Sequence, residues 1–380
     1  MLALAFGVAY FVVWVIENID DRFFASFFFT VVHNNNSNVM LTKGSTFKIV
    51  QFADLHFGEG GSYDDRSSEV MRRILSEELP DFVVFSGDQV SGYAIASEQL
   101  RQSLWIEALN VTASFQIPFA TIFGNHDDQP FHLDPLLWFG LANYCMLFVV
   151  MGLFAIHLYG HRLSKIPKCL IYTFLLPIPL IYFLTGPVDM TRNVLLQTEL
   201  SHFNGLSYTR QGPRELHGIS NYNLTLQTPA GASVDLFFLD SGGGRIPESV
   251  HQDQIDWLEK SATPNPSLAF VHIPPQQFGT GFNQTKCNGS SLEQSTDSLS
   301  GSWGLLGLFD KMGVRAVFVG HDHGNSWCCN QQGMLMCYGR HSGFGGYDFN
   351  SSRGARIINL DIENASHVLI TSWVNEVLFY

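Results

Sequence analysis

Charge is scarce in this sequence. Lys, Arg, Asp and Glu make up only 14% of the 380 residues, while hydrophobic residues reach 46%. A soluble domain joined to something membranous would give that mixture. Basic residues are the scarcest: 21 Lys and Arg stand against 34 Asp and Glu, for a net charge of -13. No clustered Lys/Arg face is there to release phosphate counterions, which argues against a nucleic-acid partner. An anionic substrate would then need local positive charge such as metal ions. Six cysteines occur, but never as C-x2-C, which argues against a cysteine zinc knuckle. No internal repeat of solenoid length is visible either.

The ends and the polar surface point to the secretory pathway. The opening MLALAFGVAYFVVWVI has no Lys or Arg before it and is followed by the acidic ENIDD. It is shorter than the ~20 residues of a full span. Residues 1–22 therefore read as a signal peptide or signal anchor, with an imperfect gene start or a buried core segment as the other readings. N-x-S/T sequons at Asn35, Asn110, Asn223, Asn283, Asn288, Asn350 and Asn364 fit a glycoprotein, extracellular or membrane-associated. In NSWCCNQQGMLMCYGR a hairpin turning at QQG would bring Cys328 or Cys329 close to Cys337, and an oxidising compartment would let them bridge. Buried free thiols are the alternative.

From Ser45 short β-rich runs alternate with helical patterns. TFKIVQFA, DFVVFSG and PFATIFG read as strands, separated by the amphipathic DDRSSEVMRRILSEEL and a helix over residues 94–113. This βαβαβ order favours a parallel sheet. The alternation resumes after Thr191: SVDLFFLDSGGG, SLAFVHIPP and VRAVFVG are strands, HQDQIDWLEKSA and SLSGSWGLLGLFDKMG helices, and MLMCYGR, ARIINLDI and HVLITSW closing strands.

Between these halves the pattern breaks. Residues 136–159 and 170–188 carry no formal charge, and the basic GHRLSKIPKC lies between them. Each run is long enough to cross ~30 Å of hydrocarbon, with the basic link on the cytosolic side. Residues 136–190 therefore read as a hydrophobic insertion of three possible kinds: a transmembrane hairpin, a buried helical insertion, or a retained intron in a gene model.

Five short stretches share one position, just past the carboxyl end of an expected strand: Asp54-Leu55-His56, Gly87-Asp88, Gly124-Asn125-His126-Asp127, Val271-His272, and Gly320-His321-Asp322-His323. Ligands bind at that edge in open α/β sheets. Carboxylate, imidazole and amide donors suit Mn, Zn or Fe. A carboxylate can bridge two such cations, and the pair can hold a hydroxide while clamping phosphoryl oxygens. Singly, each stretch has a bland reading as a turn or a hydrogen-bonded core residue.

Together, the ordered D-x-H, G-D, G-N-H-D, strand-end His and G-H-x-H resemble the signature of the calcineurin-like metallophosphoesterases. IVQFADLHFGE, LFFLDSG, AFVHIPP, AVFVGHDHGN and CYGRHSGFGGY are similar to the purple acid phosphatase 28/29-like branch. The resemblance covers residues 45–373 apart from the hydrophobic middle. It implies an α/β fold, an αββα sandwich of two mixed sheets flanked by helices, over residues 45–380. It also implies a phosphatase working through two divalent or trivalent metal ions (Mn, Zn or Fe) and a bridging hydroxide.

By motif, Asp54, His56 and His323 would bind the first metal, Asp88 would bridge both, and Asn125, His272 and His321 would complete the second site. His126 would be the acid beside the leaving group, with Asp127 orienting its ring; Asp322 would be structural. Purple enzymes have a Tyr ligand three residues after the bridging Asp. Here that position is Ser91, and His56 stands where they have Gly, so a dinuclear site without the purple band is expected.

Arg340 and His341 are candidates to reach substrate phosphate oxygens, or else form a salt bridge and pack in a turn. The substrate would be a small phosphoester or a phosphoprotein, and membrane association is an open possibility. The rival functions are a phosphodiesterase or nucleotide hydrolase on the same core, and a membrane protein with a structural metal site.

Overall fold

The computed structural model describes residues 38–130, 190–296, 304–331, 333–364 and 367–377. Residues 1–22, the Asn35 sequon and residues 136–189 of the hydrophobic insertion lie outside them. Among the described residues no helix is long and apolar enough to cross a membrane.

Two mixed sheets stack at the centre. One has five strands in the order β13-β12-β2-β3-β4: β2 (Thr46–Phe52), β3 (Phe82–Ser86), β4 (Phe119–Ile122), β12 (Arg353–Asn364) and β13 (His367–Val377). The other has eight, in the order β1-β5-β6-β7-β9-β11-β10-β8. Its strands are β1 (Val39–Leu41), β5 (Tyr222–Gln227), β6 (Ser233–Leu239), β7 (Ser267–Val271), β8 (Cys287–Asn288), β9 (Val314–Val319), β10 (Cys328–Gln331) and β11 (Met334–Tyr338). The expected parallel pairing holds: β2 pairs with β3, and β3 with β4, in parallel register.

The apolar strands are buried on both faces, and their period of two divides them between layers. In β3, Val83 and Phe85 join one core cluster while Phe82 and Val84 join another. In β9, Ala316 and Phe318 meet that second cluster while Val317 and Val319 meet a third. The middle cluster is the sheet-to-sheet core. The first lies under α1 (Tyr63–Glu78), α2 (Glu98–Ser114) and α3 (Met190–His202), and the third under α4 (Gln252–Ser261) and α5 (Leu305–Lys311). This is the expected αββα sandwich.

Helix positions follow local chemistry. In α1, Val70, Met71, Ile74 and Leu75 share one buried face, and Asp64 and Asp65 occupy the first turn, where the helix dipole favours them. α2 starts later than residue 94 because Ser97 caps it, its Oγ accepting from Leu100 N at 3.2 Å.

The hairpin of β10 and β11 sets Cys328 opposite Cys337, and they are bridged with Cα atoms 4.0 Å apart. Cys329 bonds Cys287 on β8 instead, a second disulfide that the hairpin reading did not contain. Alternation explains the split, since neighbouring side chains on a strand point to opposite faces.

The chain on either side of the insertion meets in space. Arg192 Nε lies 3.0 Å from Asp128 Oδ2, both buried. A Gly/Ser linker of about ten residues, with an r.m.s. reach of ~17 Å, is therefore expected to replace residues 131–189 without loss of the sandwich. Circular dichroism and a cooperative melt check this; an aggregated or molten product would refute it.

Candidate metal centre

The parallel strands β2, β3, β4, β7 and β9 all end at one edge, and the two sheets are joined there by side chains. Gln51 Nε2 donates to Ser86 Oγ at 2.8 Å and to Val319 O at 3.1 Å, and His272 Nδ1 donates to Ser86 O at 2.8 Å. Just past these strands the backbone is forced into the left-handed region. Eight non-glycine residues among those described have positive φ, and Asp54, His56, Asp88 and His321 are four of them. Such conformations cost about 1–3 kcal/mol each and persist only where surroundings over-determine them. Here His56 N donates to Asp88 O at 3.0 Å and Gly320 N to His272 O at 3.0 Å, tying neighbouring loops together. Glycine is required at Gly124, where a Cβ would collide with the Asp88 carboxylate.

Two ligand groups result. Asp54, His56 and His323 offer atoms within 4.8 Å of one another, and so do Asp88, His272 and His321. Asn125 joins the second: its Oδ1 is 3.1 Å from His272 Nε2 and 3.0 Å from His321 Nδ1. Asp88 Oδ1 accepts from His126 N at 2.7 Å. Its buried Oδ2 has no hydrogen bond, and lies 3.1 Å from His272 Nε2 and 3.8 Å from His56 Nε2. One oxygen thus faces histidines of both groups.

The tautomers test whether cations fit. The carbonyls of Ser86 and Tyr347 only accept, so His272 and His323 carry their protons on Nδ1. Ser91 Oγ donates its single proton to Glu59 at 2.6 Å, so it must accept from His56 Nδ1 at 2.9 Å. Once neutral, as cation binding requires, all three rings aim an Nε2 lone pair inward, and the Nε2 atoms of His56 and His323 are 3.1 Å apart. Two nitrogens ~2.1 Å from one ion at a right angle lie ~3 Å apart. The donor set fits a pair of cations.

Electrostatics reflect the same crowding. Burial holds His56 well below its ordinary value, and pushes His321 down to about 3 and His323 to about 4. Burial also lifts Asp54 to about 8, aided by the Asp88 charge. Burial opposes charge on His272 too, but the adjacent Asp88 carboxylate outweighs it and raises His272 to about 10. Asp88, despite burial, is held low by His272 and His126.

Asp127 is placed differently from its expected role, and Arg340 and His341 take the structural one of their two readings. Asp127 does not meet the His126 ring: its Oδ2 accepts from Gly124 N at 2.7 Å and Asp88 N at 3.1 Å, and Oδ1 from Val90 N at 3.1 Å. It braces the two ligand loops, and His126 Nδ1 instead bonds Gln129 Oε1 at 2.9 Å. Arg340 is 1% exposed, donates to Ser352 O and lies 3.5 Å from Glu376, the salt-bridge alternative rather than a substrate contact. His341 packs on His323 with ring centroids 3.9 Å apart, its Nε2 3.2 Å from Gly345 O. Asp322 takes the structural part, accepting from Tyr338 Oη at 2.5 Å.

Reading the sequence also missed the clamp behind the G-N-H-D turn. Buried Arg192 pairs with Asp128 and, at 2.5 Å, with Asp240, and donates to Gly124 O and Gly243 O. The only signals were a second Asp after GNHD and a lone Arg just after an uncharged run.

The two-sheet sandwich thus carries two largely buried histidine–carboxylate groups of metal-ligand type at one edge. The chain matches the family model for calcineurin-like phosphoesterases over residues 47–325 and belongs to that family. It is 27% identical over 352 residues to an Arabidopsis thaliana protein named probable inactive purple acid phosphatase 28, covering 82% of this chain and 75% of that one. Identity is 24% over 363 residues, at 83% and 77% coverage, with probable inactive purple acid phosphatase 29 of the same plant. With phosphatase DCR2 of Saccharomyces cerevisiae it is 25% over 341 residues, at 78% and 48% coverage. A solved purple acid phosphatase from yellow lupin seeds superposes with a TM-score of 0.46 at 12% identity, covering 90% of this chain and 54% of that one. The family model and the plant relatives bear out the expected branch.

Arg192→Met would leave Asp128 and Asp240 buried without a counter-charge, which costs about 3–5 kcal/mol. Urea unfolding should show that loss; a change below about 1 kcal/mol would refute the clamp.

Proposed function

We propose that this chain is a metal-dependent phosphoric monoester hydrolase with a dinuclear centre. One observation carries the reading: two ligand groups meet at one oxygen, Oδ2, of Asp88, with a partly open imidazole beside them. The His126 side chain keeps 25% exposure, against 0–2% for His56, His272 and His323.

Asp54, His56 and His323 would hold one ion and Asn125, His272 and His321 the other, with Asp88 shared between them. When bound, the ions supply Lewis acidity toward phosphoryl oxygens and lower the pKa of water. Gln129 accepts from His126 Nδ1 and so turns Nε2 toward the centre, 3.9 Å from Asp88 Oδ2. From there a protonated His126 would give its Nε2 proton to the departing alcohol oxygen. Three relatives carry "inactive" in their names, but every ligand type that the signature requires stands in this chain. Two disulfides support an oxidising compartment, hence the secretory pathway. The sequon residues Asn110, Asn283, Asn288, Asn350 and Asn364 are exposed, as glycosylation requires.

Purified protein loaded with Mn, Zn or Fe should hydrolyse an aryl phosphate monoester faster than the matching diester. Asp88→Asn should lose bound metal and turnover together. His126→Ala should keep its metal and lose about 10²–10⁴-fold in kcat. Full activity in Asp88→Asn with its metal gone would sink the mechanism. Faster diester turnover would move the assignment to a phosphodiesterase, and bound metal with no turnover to a structural site.

A further inference from the structure

One carboxylate stands behind the first ligand group. Glu59, half-buried in the loop between β2 and α1, accepts at Oε1 from three partners: Ser91 Oγ at 2.6 Å, Gly346 N at 2.8 Å, and the Tyr93 hydroxyl. Each of the first two leads to a histidine.

Through Ser91 the path reaches His56. The hydroxyl has one proton, Glu59 takes it, and the oxygen is left to accept from His56 Nδ1 at 2.9 Å. That fixes the tautomer and aims the Nε2 lone pair at the centre.

Through Gly346 the path reaches His323. The next residue, Tyr347, accepts from His323 Nδ1 with its carbonyl at 2.7 Å, and its ring stacks on the imidazole at 4.0 Å between centroids and 3° between planes. Gly346 itself is pressed against both rings. A Cβ there would collide with His323 Cε1 and lie 3.0 Å from His56 Cδ2. The hydrogen bond from its amide to Glu59 holds the backbone in that close approach.

We propose that Glu59 is a positioning residue for the first metal, setting the tautomer and direction of His56 through Ser91 and of His323 through Gly346 and Tyr347. The two Nε2 atoms it aims are the pair 3.1 Å apart. Partners of this kind fix ring orientation and raise ligand basicity, and their loss typically costs about 10–100-fold in metal affinity. The second group does not share the support, because His272 is fixed by Ser86 O. Glu59 therefore acts on one of two sites. This inference rests on the dinuclear reading of the centre, and its test measures metal binding without turnover.

The full-length protein is stripped of metal and titrated with Mn²⁺, with bound metal counted by elemental analysis. Wild type should bind two ions. Glu59→Ala and Ser91→Ala should each weaken one of the two sites by about 10–100-fold and leave the other within about threefold. The double variant should lose less than the product of the single losses, because both act along one path to His56. Glu59→Gln keeps an acceptor oxygen in a side chain of the same shape, and should show a smaller loss at the same single site. That variant carries the test should an alanine variant fail to fold in the metal-free melt. Wild-type affinity at both sites in Glu59→Ala and Glu59→Gln overturns the proposal. So does equal weakening of both sites with a lowered metal-free Tm, which would mark a merely structural role. Wild type binding no Mn²⁺ would overturn the dinuclear reading itself, and this inference with it.

Discussion

The hydrogen bond from His272 Nδ1 to the Ser86 carbonyl is the point on which the structure turns. It crosses from the eight-stranded sheet to the five-stranded one at 2.8 Å, fully buried. With its Nδ1 proton committed, the ring has only Nε2 left to face Asp88 Oδ2 and Asn125 Oδ1, through a second proton or, once a cation replaces that proton, through a lone pair. The bond therefore does two things at once. It sets the spacing of two stacked sheets at the edge that carries the ligand groups, and it decides which atom of His272 can act as a ligand. Gln51 repeats the first task beside it by donating to both sheets. The left-handed backbone at Asp54, His56, Asp88 and His321 is sustained by this closure, since loops from two sheets hold one another in place.

What the sequence made legible follows from this layout. Strand ends can be read from alternation and glycines, and ligand types from the residues that follow, and the seven candidates lie close together at one edge. Partner assignments were not legible in the same way. Asp127 is adjacent to His126 in sequence, yet its carboxylate turns to the amides of Gly124, Asp88 and Val90, because a buried loop must satisfy its N–H groups. Arg340 looked like an anion ligand in a glycine-rich loop, but its partners Ser352 and Glu376 lie on chain that periodicity places without specifying contacts. Glu59 and Tyr347 carried no signal of their own, and Ser91 only that of an absent Tyr ligand, since their meaning lies in which loop folds over which.

The insertion illustrates a different limit. Its composition stands out, but composition says nothing about where its ends lie. The buried Arg192 does, because a guanidinium with two carboxylates and three turn carbonyls around it admits no other register. Asp128 precedes the insertion and Arg192 follows it. The pair closes the chain behind the G-N-H-D turn, and the ligand loop is held by chain that returns from whatever the intervening residues form.

Ser91 shows how one position can leave the metal and still govern it. Where purple enzymes have a Tyr ligand, this chain has a hydroxyl that cannot reach inward, being bonded between Glu59 and His56. His56 occupies the inner space instead, with its side chain 1% exposed and its Nε2 beside His323. The exchange replaces an anionic phenolate by a neutral imidazole, and moves the negative charge outward to Glu59 behind the serine. A ligand set so arranged carries less negative charge than one with a phenolate, and less charge to offset a trivalent ion. Serine in place of tyrosine therefore changes the electronic character of the ligand set and leaves both ligand groups in place.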